Sequence, residues 1–170
     1  MMFGDDHSLR TVSWLAASIG DRAVGLFDSG FNCAESVLSV LSDRLGKWGR
    51  NCTGAVPCVA TGFGGGIGRN GSTCGALSGV VLAIGLAAKR DKASDWDKKY
   101  EVYDIVSKAL ADFEKKFGSS LCKDLTGYDL RNREERLRYR SQRVQNKKCS
   151  KFVRWCADYG AKLVDSAREG

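Results

Sequence analysis

The 170-residue chain contains a single proline, Pro57, and most of its apolar residues recur at every third or fourth position. That spacing is typical of amphipathic helices, and no segment shows the apolar–polar alternation of a half-buried strand. Helical patterns cover residues 8–30, 32–46, 74–90 and 94–118, and a final helix holds Phe152 to Val164. The sequence therefore predicts an all-α fold: one domain, residues 1–170, built as a bundle of about five helices with a glycine-rich loop.

The most apolar stretch, CGALSGVVLAIGLAA, begins at Cys74 and is apolar on all sides. This pattern predicts a helix in the centre of the core. Its roughly 15 residues are too few to cross a bilayer, which takes about 20. The N-terminal segment MMFGDDHSLR lacks the apolar core of a secretory signal. We therefore expect a cytoplasmic protein with no membrane partner.

Seven cysteines and one histidine limit the chemistry of this chain. In a reducing compartment, so many cysteines indicate metal, cluster or redox chemistry more than a disulfide scaffold. The sequence has no CxxC and no CxxCH, which argues against a zinc ribbon, a thioredoxin motif and covalent haem attachment. His7 lies in a polar N-terminal tail, so a hydrolase would lack a general base held by the fold.

Eight of the twenty residues in ATGFGGGIGRNGSTCGALSG, residues 60–79, are glycine. The stretch contains GxGxxG, but a dinucleotide site also needs a preceding strand and an acidic residue after a second strand, and Asp91 lies between two predicted helices. A P-loop requires lysine where this chain has Ser72. We therefore expect the glycines to allow positive φ angles and close backbone approach. The residues expected to shape a cofactor pocket are Gly64, Gly65, Gly66, Gly68 and Gly71, with Arg69 adding positive charge.

Four cysteines are each predicted near the first turn of a helix. Asn32 is expected to cap the helix that Cys33 begins, with Glu35 in the position of a capping box. The other expected caps are Ser72 or Thr73 for Cys74, Ser119 or Ser120 for Cys122, and Asn146 for Cys149. Unpaired N–H groups and the helix dipole at such positions favour a thiolate, the form that binds metals and attacks disulfides.

A single cysteine of this kind is most simply a small core residue, but four at similar positions favour a shared thiolate site. Cys156 follows Cys149 by two helical turns, and we expect it in the core. Cys52 and Cys58 lie in the loop. Supplementary ligands, a local redox pair and ordinary loop residues are all consistent with their positions.

Four segments carry a resemblance to a known family: FNCAESVL, ATGFGGGIGRNGSTCGALSGVVLAIGL, CKDLTGYD and KKCSKFV. They resemble successive blocks of the C_GCAxxG_C_C family of redox-active proteins, over roughly residues 20–157. The CGAxxG core of that family corresponds here to residues 74–79, and the resemblance implies that the family's cysteines are Cys33, Cys74, Cys122 and Cys149. Split-Soret cytochromes share related segments and are associated with an iron–sulfur centre, but this chain lacks their haem attachment motifs.

Two redox functions are consistent with this cysteine pattern. The leading hypothesis is an iron–sulfur cluster of unspecified type, with the four cysteines as metal ligands, used for electron transfer. The alternative is a metal-free dithiol/disulfide protein in which Cys33 and Cys74 are the catalytic pair. Either function requires a redox partner protein, and the resemblance also implies a homodimer.

A third hypothesis concerns the basic segment 131–154, which has ten basic and two acidic residues within a chain of net charge +7. Its sequence RLRYRSQRVQNKK could form a basic helix that binds nucleic acid through phosphates. No recognised nucleic-acid module accompanies it. We therefore favour a solvated helix face that docks an acidic redox partner or has no specific ligand.

Overall fold

The structure is a computed structural model that describes residues 17–46 and 54–169. Its α-helices are α1 (Ile19–Asp28), α2 (Cys33–Ser42), α3 (Gly75–Ala88), α4 (Trp96–Phe117), α5 (Cys122–Thr126), α6 (Arg133–Ser141) and α7 (Ser150–Glu169). There are also two 3₁₀ segments, Asp43–Leu45 and Cys58–Phe63, and a π-helical segment, Gln145–Cys149. His7, Cys52 and the predicted helical residues 8–16 lie outside the described residues.

The predicted all-α class is confirmed. The β-type pairing within residues 17–46 and 54–169 is limited to an isolated antiparallel bridge between Thr73 and Leu121. The expected count of about five helices is too low, because the segment after Leu121 forms the short helix α5 and part of the basic segment forms α6. Among the described helices, none has both the length and the hydropathy that a membrane crossing requires.

The central helix is α3, as its apolar sequence predicts, and it packs mainly on α2 and α7. Its largest fully buried side chains are Leu77, Val80 and Ile84. Two glycines make these helix contacts close: a Cβ on Gly79 would lie 2.8 Å from the carbonyl oxygen of Ala34, and one on Gly160 would lie 2.9 Å from Leu41 Cδ1. Side chains at either position would force the helices apart.

The long amphipathic helix α4 packs on α3 and, less extensively, on α7. Its inner face places Phe113 in the core, with ring centroids 4.8 Å from Phe117, 6.0 Å from Phe152 and 5.6 Å from Trp155. Gly118 ends the helix in the left-handed conformation, with φ of 87°, as the sequence predicts. The return of the chain after Gly118 brings residues 120–123 back to the beginning of α3.

Candidate functional site

Four cysteines from different elements line one small cavity of about 20 Å³. They are Cys33 at the start of α2, Cys74 just before α3, Cys122 at the start of α5 and Cys149 at the end of the π-helical segment. The other lining residues are Gly75, Ala76, Leu125, Thr126 and Phe152. The structure thus brings together the four cysteines that the sequence singles out.

Cys33 is held by a capping box at the start of α2, as the sequence predicts. The side-chain oxygen of Asn32 accepts the N–H groups of Ala34 and Glu35 at 2.9 and 3.1 Å. The Glu35 carboxylate accepts the Asn32 N–H at 2.7 Å and also a hydrogen bond from the Thr61 hydroxyl. These bonds pair the first N–H groups of α2 and fix the backbone from which the Cys33 side chain projects.

Cys74 and Cys122 are placed on the same face of the bridge between their two segments. The Cys74 N–H donates to the Ser120 carbonyl at 2.8 Å, and the Cys122 N–H donates to the Ser72 carbonyl at 2.7 Å. Successive side chains on paired extended segments point to opposite faces. The two cysteines therefore share the face opposite Thr73 and Leu121, and Leu121 is accordingly exposed.

The cap predicted for Cys74 is wrong by one position. Cys74 is itself the N-cap of α3, with no side-chain capping bond, whereas Ser72 or Thr73 was expected there. Thr73 belongs to the bridge, and the N–H and carbonyl of Ser72 are bonded to Gly66 and Cys122. These long-range hydrogen bonds keep both residues in extended backbone, so the helix begins after Cys74.

The caps predicted for Cys122 and Cys149 are also wrong. Leu121 is the N-cap of α5, and the Ser119 hydroxyl accepts the Leu121 N–H, one step outside the helix. Asn146 lies within the π-helical segment and donates to the Asp28 carboxylate, so Cys149 lies beyond a first helical turn. The helix effectively begins earlier than expected, because its hydrogen bonds start from residue 143.

Glycines in the 64–75 stretch allow backbone to approach the cysteines. A Cβ on Gly75 would lie 2.5 Å from the Cys33 sulfur, and one on Gly66 would lie 2.7 Å from Cys122 Cβ. Positive φ angles, which glycine adopts without steric cost, occur at Gly65, Gly66, Gly68 and Gly71. Two residues with side chains, Ile67 and Arg69, also have positive φ within this turn. The turn therefore places backbone, not side chains, against sulfur.

The hydroxyl of Tyr139 contacts the sulfur of a cavity cysteine. Its hydroxyl lies 3.4 Å from the Cys149 sulfur. Lys148 donates to the Thr126 carbonyl at 3.0 Å, and its charge lowers the pKa of Cys149. The sequence marked Tyr139 only as an aromatic residue of a basic helix; no local spacing pattern connects it with Cys149, ten residues later.

Burial, rather than the helix N-termini, dominates the acidity of these thiols. Loss of hydration raises the pKa of Cys74 well above its usual value, that of Cys122 to about 12 and that of Cys149 to about 11. Burial also raises the pKa of Cys33, although N–H groups of Gly65, Ala34 and Ala76 act in the opposite direction. The expectation of stabilised thiolates is therefore wrong for the metal-free protein, because desolvation outweighs the amide dipoles.

Cys33 is the common neighbour of the other cysteines in the site. After burial, the negative charge of a Cys33 thiolate is a further cause that raises the pKa of Cys74, Cys122 and Cys149. It also raises the pKa of Cys156. The described cysteines are all free thiols. Cys33 thus lies within electrostatic reach of each buried sulfur in the described chain.

A cleft of about 460 Å³ opens on three of these cysteines. Cys33, Cys122 and Cys149 line it, whereas Cys74 faces only the smaller cavity behind. Of the glycines expected to shape a pocket, the cleft is lined by Gly64, Gly65 and Gly68, together with Arg69. Gly66 and Gly71 do not line the cleft. A Cβ on Gly66 would lie 2.7 Å from Cys122 Cβ, and one on Gly71 would lie 2.9 Å from Lys123 Cβ.

The side chains of the cavity that commonly bind metals are all cysteines. Within residues 17–46 and 54–169, no three histidine, cysteine, aspartate or glutamate side chains are grouped closely enough to hold one metal ion. A single tetrahedral zinc with 2.3 Å bonds needs sulfurs about 3.8 Å apart. A cluster distributes its four cysteines over several irons, so its ligands lie further apart. The cavity offers four cysteine sulfurs and no carboxylate or imidazole among its lining residues.

The two other described cysteines are outside this cavity. Cys156 is fully buried in the core on α7, as expected. Cys58 is exposed at the start of a 3₁₀ segment, where its thiol lies 3.1 Å from the Ala55 carbonyl oxygen. The structure thus separates both from the four that line the cavity.

Fold and site together define a small helical protein with a buried four-cysteine centre. A family model described as "Putative redox-active protein (C_GCAxxG_C_C)" matches residues 31–163. The chain belongs to this family of redox-active proteins, as its sequence blocks indicate. Comparison with curated proteins and with solved structures gives no match.

Proposed function

We propose that the protein is an electron carrier in which Cys33, Cys74, Cys122 and Cys149 bind an iron–sulfur cluster. The observation that carries this proposal is the convergence of these four cysteines, from four elements, on one cavity without competing ligands. Cysteine sulfur is the usual ligand for both [2Fe–2S] and [4Fe–4S] clusters. When bound, such a cluster accepts and donates single electrons.

The cavity of about 20 Å³ has room for one water-sized sphere, which is less space than an iron–sulfur cluster occupies. Each cysteine has a single side-chain torsion between backbone and sulfur. Rotation about these bonds is the simplest way for the chain to admit a cluster. The backbone at Cys33, Cys74 and Cys122 is already fixed by the capping box and by the bridge.

The chain's own groups would stabilise negative charge on the bound sulfurs. Backbone N–H groups of Gly65 and Ala76 face Cys33, and the Tyr139 hydroxyl faces Cys149. Hydrogen bonds to cluster sulfurs raise the reduction potential, because they favour the more negative, reduced state. Leu125 and Phe152 exclude water from the inner side of the cavity.

A metal-free dithiol/disulfide function with Cys33 and Cys74 as the pair is the second candidate. It is favoured by the electrostatic contact between these two thiols and by their free state. Oxidation would remove two electrons and two protons and form one S–S bond. The cluster remains our first proposal because four cysteines, rather than two, line the cavity.

The partner of either function stays a proposal from the sequence. An acidic redox protein would be attracted by the basic segment 131–154, and nucleic acid is the less favoured ligand. A homodimer and a cytoplasmic location also stay predictions.

Anaerobic purification followed by absorption spectroscopy and by iron, sulfide and zinc analysis of one sample tests the proposal. We expect iron with equimolar sulfide and a visible band near about 400 nm, as cysteine-ligated clusters give. Zinc without sulfide, or the absence of metal together with reversible thiol oxidation, would contradict it. The second of these results would support the dithiol function.

A further inference from the structure

We propose that the 460 Å³ cleft beside the cysteines binds a small organic anion of the carboxylate or phosphate class. Its size is typical of a small-molecule site. Anion binding by the cleft does not require the proposed iron–sulfur cluster. Its role as the place where a substrate meets the redox centre rests on the proposed function.

The charge of the cleft is one-sided. Arg69, Arg136 and Arg140 line it, and its lining residues include no aspartate or glutamate. Arg69 comes from the glycine turn, whereas Arg136 and Arg140 lie one helical turn apart on α6. Cations from two separate elements therefore converge on one concave space.

Two of these arginines have no protein partner within the described residues. The side chains of Arg69 and Arg140 make no hydrogen bond or ion pair there, whereas Arg136 donates to the carbonyls of Leu130 and Arg131. Four arginines outside the cleft are paired with carboxylates: Arg22 with Asp43, Arg44 with Asp165, Arg131 with Asp129 and Arg154 with Asp21. Arg133, Arg138 and Arg143 also lack a side-chain partner among the described residues, but they do not line the cleft. Guanidinium groups left free in a concave site suit bidentate binding of carboxylate or phosphate.

The cleft also has apolar lining residues. Phe27 and Leu130 are buried there, and Phe31 is 39% exposed. An exposed aromatic ring beside free arginines matches a ligand that combines an apolar body with an anionic group. Such a ligand would lie against Cys33, Cys122 and Cys149, the cysteines that line the cleft.

Calorimetric titration of the full chain, as purified and at low ionic strength, tests the site. Phthalate represents an aromatic carboxylate, phenyl phosphate an aromatic phosphate, and benzamide an uncharged aromatic body. We expect binding of at least one anion and little heat with benzamide. The anion that binds more tightly shows whether the site prefers a carboxylate or a phosphate group.

Variants separate a local site from the general positive field of the protein. Arg69→Gln/Arg140→Gln removes the two free guanidinium groups, and we expect it to weaken anion binding about tenfold or more. Arg138→Gln, also on α6 but outside the cleft, removes one charge and should change binding less than twofold. The proposal would be overturned if the two variants lost equal affinity per charge removed. It would also be overturned if neither anion bound, or if benzamide bound as tightly as the anions.

Iron and sulfide are measured on the same samples. Anion binding to protein that contains no cluster would contradict the proposed cofactor and leave the cleft assignment intact. Protein with a full cluster but no anion binding would support the proposed cofactor and contradict the cleft assignment.

Discussion

The two walls of the cysteine cavity act on sulfur by different means. The glycine wall, residues 64–76 with Cys33, presents backbone N–H groups to sulfur and has glycine where a Cβ would collide with it. The basic wall, residues 122–149, presents the Tyr139 hydroxyl and the Lys148 charge to Cys149. The first wall should therefore be disrupted by adding atoms, and the second by removing them.

Removal of one sulfur should have the largest effect in either wall. We expect Cys74→Ser and Cys149→Ser each to abolish nearly all iron and sulfide binding, because a serine oxygen is a poor replacement for thiolate. Metal analysis after anaerobic purification measures the loss.

Cys58→Ser is the matched control for these variants, since Cys58 is exposed and outside the cavity. Its iron content should equal that of the unchanged chain. Loss of iron in Cys58→Ser, or retention in Cys74→Ser, would contradict the ligand assignment.

Addition of one methyl group to the glycine wall should be the next largest effect. In Gly75→Ala, the new Cβ would lie 2.5 Å from the Cys33 sulfur and 2.8 Å from the Phe63 carbonyl oxygen. We expect a loss of about 1–3 kcal/mol in the free energy of unfolding, measured with urea, and a lower iron content.

Gly85→Ala is the control on the same helix, because nothing lies within 4 Å of its added Cβ. It should stabilise the protein by about 0.5–1 kcal/mol, as glycine is a poor helix residue. A Gly75→Ala protein as stable as Gly85→Ala would show that the glycine wall tolerates side chains.

Two N-cap asparagines permit a direct comparison of the walls. Asn32 and Asn132 each accept two backbone N–H groups, at the starts of α2 and α6 respectively. Replacement by alanine should cost about 1 kcal/mol of unfolding free energy at either site. Only Asn32→Ala should also reduce iron binding, because α2 begins with Cys33. Equal iron content in the two variants would show that the cap does not position the cysteine.

The smallest effect is expected from Tyr139→Phe, which removes one hydroxyl from the basic wall. The Tyr139 hydroxyl lowers the pKa of Cys149, although burial raises that pKa to about 11 overall. Without the hydroxyl, the pKa of Cys149 should rise further. Alkylation of Cys149 in metal-free protein, followed by mass spectrometry between pH 8 and 10, should therefore be slower.

Cys122 is the internal control in that experiment, because the same reagent alkylates it. None of the hydrogen bonds of the described residues joins Cys122 to Tyr139. Its alkylation rate should be unchanged. An unchanged rate at Cys149 would mean that the hydroxyl does not donate to its sulfur.

The sequence predicted the parts of the site that depend on neighbouring residues. The Asn32–Glu35 capping box spans three residues, so the local pattern contains all of its groups. The end of α4 at Gly118 is local in the same way. Cys33, Cys74 and Cys122 could also be singled out from their positions near helix starts. For Cys149 only the family resemblance was a sound guide, because its predicted helix start is wrong.

The sequence could not predict features that depend on distant partners. The start of α3 is set by hydrogen bonds from residues 72 and 74 to residues 120 and 122, which no local pattern contains. The approach of Tyr139 to Cys149 depends on the turn after α6, where Arg143 has a positive φ. The acidity of the thiols depends on burial by the whole fold, and this outweighed the local dipoles used to predict it.

The bridge between Thr73 and Leu121 also makes α3 and α4 the two arms of a closed hairpin. Both arms end at the site, while the turn at 89–95 lies at the far end. Changes of loop length at such a surface turn carry a small entropic cost. Residues inserted into this turn should therefore leave the spacing of Cys74 and Cys122 unchanged. The bridge sets the separation of the two cysteines in space by hydrogen bonds that do not depend on the length of chain between them.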